Sequence, residues 1–206
     1  MLLHGWPLSE RMWEPQVTAL QSAGFTPFVP HLYGQGPSID GWAAHLLRDY
    51  GGSLVAVGAS MGGYCALALA RRAPERIVGM VLVAARAGAD TFDRRRQRDA
   101  QIGVLRSRGV PAELETDVPA EHLAVAQEAM RDRMDLSGIA ASFGGPLLVC
   151  IGDRDDIVSV DESRDLAASA LQGAIEVFPG AGHFVSVEQP DRLNVVLLDF
   201  LSQWQM

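Results

Sequence analysis

The sequence is short of cysteine, of basic residues and of long apolar runs, and each shortage excludes something. Only Cys65 and Cys150 occur in 206 residues, far apart and each inside an apolar run (Tyr64-Cys65-Ala66-Leu67 and Leu148-Val149-Cys150-Ile151). With no CxxC pair and no Cys/His cluster at metal-ligand spacing, neither a disulfide scaffold nor a zinc centre is expected, and the two thiols read as buried and reduced. Lys and Arg number 17 against 25 Asp and Glu, a net charge of -8. That sign opposes a phosphate backbone, so no nucleic-acid partner is expected. The longest apolar stretch, Ile77 to Ala85, is far short of the ~20 residues of a spanning helix, and Met1-Leu2-Leu3-His4 lacks the regions of a signal peptide. The expectation is a soluble, cytoplasmic protein with no membrane partner.

What is present is an alternation. Short β-type runs at Thr26–Pro30, Leu54–Gly58, Gly79–Val83, Pro146–Ile151 and Ala174–Phe178 are separated by helical spacing at Trp13–Ala23, Gly41–Tyr50, Met61–Ala73, Asp161–Leu171 and Asp191–Trp204. The runs are almost wholly apolar, as strands covered on both faces require. The fold class is therefore α/β, a mostly parallel sheet flanked by helices, in one domain of ordinary size. One segment breaks the rhythm: from about Asp90 to Ser142 the spacing is helical (Asp93–Arg108, Pro111–Glu115, Pro119–Asp135). It reads as a helical insertion between two strands.

Gly58-Ala59-Ser60-Met61-Gly62 matches G-x-S-x-G at a strand-to-helix junction. A nucleophile on such a turn is lifted above the sheet edge, and small flanking residues permit its strained backbone. A serine hydroxyl needs a base oriented by a carboxylate. His183, in the glycine-rich turn Pro179-Gly180-Ala181-Gly182-His183-Phe184 after the last strand, is placed for that task. His4 reads as a loop-shaping residue, His31 as structural although near enough to face the site, and His45 and His122 as surface or packing residues. Three acids, Asp153, Asp155 and Asp156, follow the strand at Pro146–Ile151. One or two of them belong to a polar turn capping the next helix.

The order Ser, Asp, His and these motifs resemble the α/β-hydrolase superfamily, in particular small carboxylesterases, arylesterases and cofactor-free haloperoxidases. The resemblance covers nearly the whole chain. It rests on Leu2-Leu3-His4-Gly5-Trp6-Pro7-Leu8-Ser9, the turn at Ser60, Gly152-Asp153-Arg154-Asp155, and Gly180-Ala181-Gly182-His183-Phe184 with Glu188-Gln189-Pro190. It implies that the acid is Asp155, three residues after the glycine, giving a triad of Ser60, Asp155 and His183. It also implies an oxyanion hole from the backbone N–H groups of Trp6 and Met61, with no metal and no cofactor. The implied activity is hydrolysis of a small-molecule carboxylic ester through an acyl-enzyme. A lactonase, an acyltransferase or perhydrolase, or a carbon–carbon bond hydrolase would use the same triad. A haloalkane dehalogenase would need a carboxylate at position 60. A non-catalytic, hydrolase-like binding protein is the alternative of another class.

Two departures accompany the resemblance. The loop His31-Leu32-Tyr33-Gly34-Gln35-Gly36 replaces the family's usual Asp and Gly-His-Gly, and the His-Gly motif follows Met1 almost at once. The expectation is a sheet of about six strands without the N-terminal antiparallel pair, its shortened edge open to a partner such as a second copy in a homodimer. In the insertion, Arg94-Arg95-Arg96-Gln97-Arg98 lies among Asp90, Asp93 and Asp99. It reads as a solvated, salt-bridged helix face, while Ile102, Val104 and Leu105 read as the pocket cover.

Overall fold

The computed structural model describes residues 1–204. Strands β1 (Leu2–Leu3), β2 (Leu54–Ala59), β3 (Ile77–Val83), β4 (Leu147–Gly152) and β5 (Gly173–Phe178) form one sheet in chain order, each neighbouring pair parallel. Nine α-helices accompany them among the described residues. They are α1 (Glu14–Ser22), α2 (Ile39–Asp49), α3 (Met61–Arg72), α4 (Phe92–Arg108), α5 (Ala120–Arg131), α6 (Ser137–Ser142), α7 (Val160–Ser169), α8 (Val185–Glu188) and α9 (Pro190–Leu201).

Successive strand residues point to opposite faces, and both faces are buried. Leu54 and Ala56 of β2, Met80 and Leu82 of β3, and Leu147 and Val149 of β4 join one core with Trp42, Leu46, Leu67 and Leu69 of α2 and α3. Their sequence neighbours Val57, Ala59, Val81, Val83, Leu148 and Cys150 join a second core with Trp13, Leu20, Leu193 and Leu197, under α1 and α9. This explains why the strands read as unbroken apolar runs. The two cysteines are free and buried, one in each core, and burial pushes the Cys65 thiol up to about 12.

The sheet has five strands among the described residues, not six. Thr26–Pro30 runs extended beside β1 and accepts one hydrogen bond, from Leu2 N–H to the Phe28 carbonyl at 2.7 Å, without forming a strand. Pro27 and Pro30 have no N–H to donate, which prevents a continuing ladder. The β1 edge is therefore flanked by the chain's own residues rather than bare. The insertion between β3 and β4 consists of α4, a 3₁₀ turn at Ala112–Leu114, α5 and α6. Ile102 and Leu105 of α4 and Leu123 and Ala124 of α5 are buried in the first core. No helix among the described residues is long and apolar enough to cross a membrane.

Candidate active site

Three close approaches, two to backbone and one to a methyl group, build the turn at Ser60. A Cβ on Gly58 would lie 2.3 Å from the Gly62 carbonyl oxygen, one on Gly62 2.1 Å from that of Leu3, and one on Gly63 2.4 Å from the Ala85 methyl. Glycine at all three positions lets α3 start directly against β1 and β2. Ser60 itself takes a positive φ of 47° and ψ of -109°, an unfavourable backbone for a residue with a Cβ, and its N–H donates to the Val83 carbonyl at 2.8 Å.

Ser60 Oγ lies 3.0 Å from His183 Nε2, and His183 Nδ1 lies 2.8 Å from Asp155 Oδ2. A carboxylate only accepts, so Nδ1 carries the proton and Nε2 is left to receive one from Ser60. Asp155 is fully buried at its side chain and His183 nearly so. Burial alone would raise the Asp155 carboxyl; the hydrogen bond and charge of His183, with the Val158 and Ile157 amides, outweigh it and hold Asp155 below the usual carboxylate range. The structure thus brings Ser60, Asp155 and His183 into one relay and separates the three neighbouring acids. Asp153 accepts from Gly180 N–H at 2.7 Å and holds the histidine loop, whereas Asp156 lines the cavity over Ser60.

Trp6 follows Gly5 beside Ser60, and Met61 follows Ser60 at the start of α3. Among the described residues neither the Trp6 N–H nor the Met61 N–H donates to a protein acceptor. A Cβ on Gly5 would sit 3.6 Å from Ser60 Cβ and 3.2 Å from the Phe184 ring, so the His4-Gly5-Trp6 loop lies beside the serine. His4 anchors that loop from beneath: its Nε2 accepts from Leu32 N–H at 3.0 Å and its Nδ1 donates to the Gly5 carbonyl at 3.3 Å. Glu10 and His31 are close enough to His4 to share an ion, but both His4 nitrogens are already used. His31 pairs instead with Glu10 at 2.6 Å, and none of His31, His45 and His122 lines the cavity.

Sequence reasoning assigned no role to Glu188. Its carboxylate accepts from the amides on both sides of the histidine, Gly182 N–H at 2.6 Å and Phe184 N–H at 3.0 Å, which clamps the loop in place. The only signal for it was an acid five residues after His183 ahead of a proline. The insertion also differs from expectation. Arg94, Gln97 and Arg98 line the 340 Å³ cavity that contains Ser60, instead of forming a purely solvated face. Val104 and Leu105 line a second, apolar cavity of 290 Å³ that shares Trp6 and Gln101 with the first. Ile102 is buried and borders neither. Of the three residues expected to cover the pocket, Ile102 and Leu105 are buried in the first core and Val104 is exposed, and the periodicity of α4 could not tell which polar residues would overhang Ser60.

The model of the alpha/beta hydrolase family matches residues 1–196. Among curated proteins the chain is similar to a pimeloyl-[acyl-carrier protein] methyl ester esterase of Aromatoleum aromaticum, 36% identical over 40% of this chain and 35% of that protein. It is also similar to the biotin biosynthesis bifunctional protein BioHC of Cellvibrio japonicus, 24% identical over 97% of this chain and 47% of that protein. The matches thus span less than half of the length of either relative. Among solved structures, a thermophilic esterase from Thermogutta terrifontis superposes with a TM-score of 0.87 at 28% identity, covering 98% of this chain and 88% of that one.

Proposed function

Because the chain belongs to the alpha/beta hydrolase family, we propose that it is a serine hydrolase that cleaves carboxylic esters through an acyl-enzyme. The relay Ser60–His183–Asp155 carries this reading, with hydrogen bonds of 3.0 and 2.8 Å in the order that nucleophile, base and orienting acid require. As Ser60 Oγ attacks the ester carbonyl, His183 Nε2 takes its proton, and the carboxylate of Asp155 stabilises the imidazolium. The Trp6 and Met61 amides, which have no partner among the described residues, receive the negative charge on the carbonyl oxygen. His183 then returns the proton to the leaving alcohol. Water activated by the same imidazole attacks the acyl-Ser60 ester and releases the acid. In this reading the chain forms a single hydrolase domain, with α4, α5 and α6 as its helical cap. Lactones and other activated acyl groups present the same carbonyl to the same five groups and are the neighbouring substrates to survey.

Ser60→Ala tests the assignment. Turnover of p-nitrophenyl acetate should fall on the order of 10⁴-fold or more, with an unchanged circular dichroism spectrum. A fluorophosphonate probe should label the parent at Ser60 and leave the variant unlabelled. A folded, unlabelled parent would favour a hydrolase-like binding protein instead.

A further inference from the structure

The chain is acidic, with a net charge of -8, yet the cavity over Ser60 is walled by three guanidinium groups, Arg86, Arg94 and Arg98, against one carboxylate, Asp156. Two of the three are spoken for. Arg86 binds Glu162 through two hydrogen bonds of 3.0 and 3.1 Å. Arg98 pairs with Asp90 and donates to the Gln127 side chain at 2.7 Å. Asp90 is shared with Arg133 of the insertion, so that buried group keeps an unbalanced positive charge.

Arg94 is different. Among the described residues its guanidinium has no carboxylate within ion-pair distance, and the one hydrogen bond of that side chain is a 3.2 Å contact from Nη2 to the Ile157 carbonyl. It is half-buried in the first turn of α4, where the helix's own positive end disfavours a cation. Burial and the nearby charge of Arg86 work against the Arg94 cation and outweigh the favourable but smaller influence of Tyr64, Glu162 and Asp90. Gln97 and Gln101 add uncharged amides to the same wall. An uncompensated guanidinium with free donors, beside a nucleophile, is the arrangement that captures a planar anion.

We propose that the substrate of this site is an anionic ester, one that carries a carboxylate on its acyl or alcohol part, and that Arg94 is the residue that selects it. The inference rests on the ester-hydrolase reading above and narrows it to a charge class. A cavity of 340 Å³ has room for a short chain bearing both the scissile ester and the carboxylate.

Two pairs of esters test this in a pH-stat: monomethyl glutarate, charged on the acyl side, and acetoxyacetate, charged on the alcohol side, each against its uncharged amide analogue. The quantity read is the ratio of kcat/KM for the charged over the uncharged member. In the parent enzyme at least one pair should give a ratio of about ten or more, and added salt should lower that ratio. Arg94→Gln should bring the ratio about tenfold closer to one. Arg95→Gln, exposed on the same helix and outside the cavity, should keep the parental ratio. Equal turnover of charged and uncharged members in the parent, or a ratio indifferent to both salt and Arg94→Gln, overturns the charge inference while leaving the hydrolase intact. Should Arg94→Gln fail to fold, the salt dependence of the parental ratio decides. No turnover of any ester by a protein whose Ser60 resists fluorophosphonate overturns the hydrolase reading itself.

Discussion

Acid should loosen this protein through His4. His4 is buried, and burial lowers its imidazole from 6.5 to about 4. The physical reason is visible in its two hydrogen bonds: a proton on Nε2 would turn the acceptor of Leu32 N–H into a second donor facing that N–H, in a site closed to solvent. The neutral form is therefore bound into the native state. Below 6.5 the unfolded chain takes up a proton that the folded protein refuses until about 4. The contribution is fully present above pH 6.5 and is lost as pH falls toward 4. A displacement of that size corresponds to about 3 kcal/mol in total, of which about 2 kcal/mol has gone by pH 5. His4→Gln keeps an acceptor within reach of Leu32 but cannot titrate. Urea unfolding at pH 7 and pH 5 reads the effect. The parent should lose about 2 kcal/mol more than the variant between those two pH values, with unchanged m-values. Equal losses in both proteins would refute the argument that His4 is held neutral. In the proposed mechanism the same protonation would also slow turnover, because His4 supports the loop that carries the Trp6 amide.

Two further outcomes follow from the site. Trp6 lines both the cavity over Ser60 and the apolar 290 Å³ cavity lined by Val104, Leu105 and Leu114, and its indole N–H is tied to the Leu123 carbonyl at 3.2 Å. Trp6→Ala keeps the backbone amide and joins the two spaces, so the ratio of octanoate to acetate ester turnover should rise on the order of tenfold on a p-nitrophenyl ester panel. An unchanged chain-length profile would show that the apolar cavity does not take the acyl chain. Glu188→Gln replaces one of the two acceptors that clamp the His183 loop with a donor. Steady-state kinetics should show kcat down about tenfold with KM little changed, since a misplaced base costs the chemical step rather than binding; a change confined to KM would contradict the clamp.

Much of the architecture was legible in the chain because it depends on local pattern. The apolar runs at Leu54, Gly79 and Pro146 became β2, β3 and β4, and the helical spacings at Met61 and Asp161 became α3 and α7, with boundaries moved by one or two residues. The run at Thr26–Pro30 misled because its composition is β-like while its two prolines cannot feed a ladder. Leu2–Leu3 was too short to be recognised as a strand, and only pairing with Val57 and Gly58 makes it one.

What the sequence determined by itself is the covalent logic of the site: a serine between glycines at a strand-to-helix junction and a histidine in a glycine-rich turn. Those small residues are needed wherever a backbone must bend or approach another within a few ångströms, and that need is written locally. Tertiary structure decided the rest. Asp153, Asp155 and Asp156 are equivalent in composition, and only the packing of Gly152 against the Ala181 and Gly182 carbonyls sends Asp155 to His183 and Asp153 to Gly180. Likewise Arg94, Arg95, Arg96 and Arg98 are one basic run in the chain, but the rotation of α4 over the sheet gives Asp90 to Arg98 and leaves Arg94 over Ser60 with no ion-pair partner among the described residues. Charge balance is set by which groups meet across the fold, and no spacing along a single helix records that.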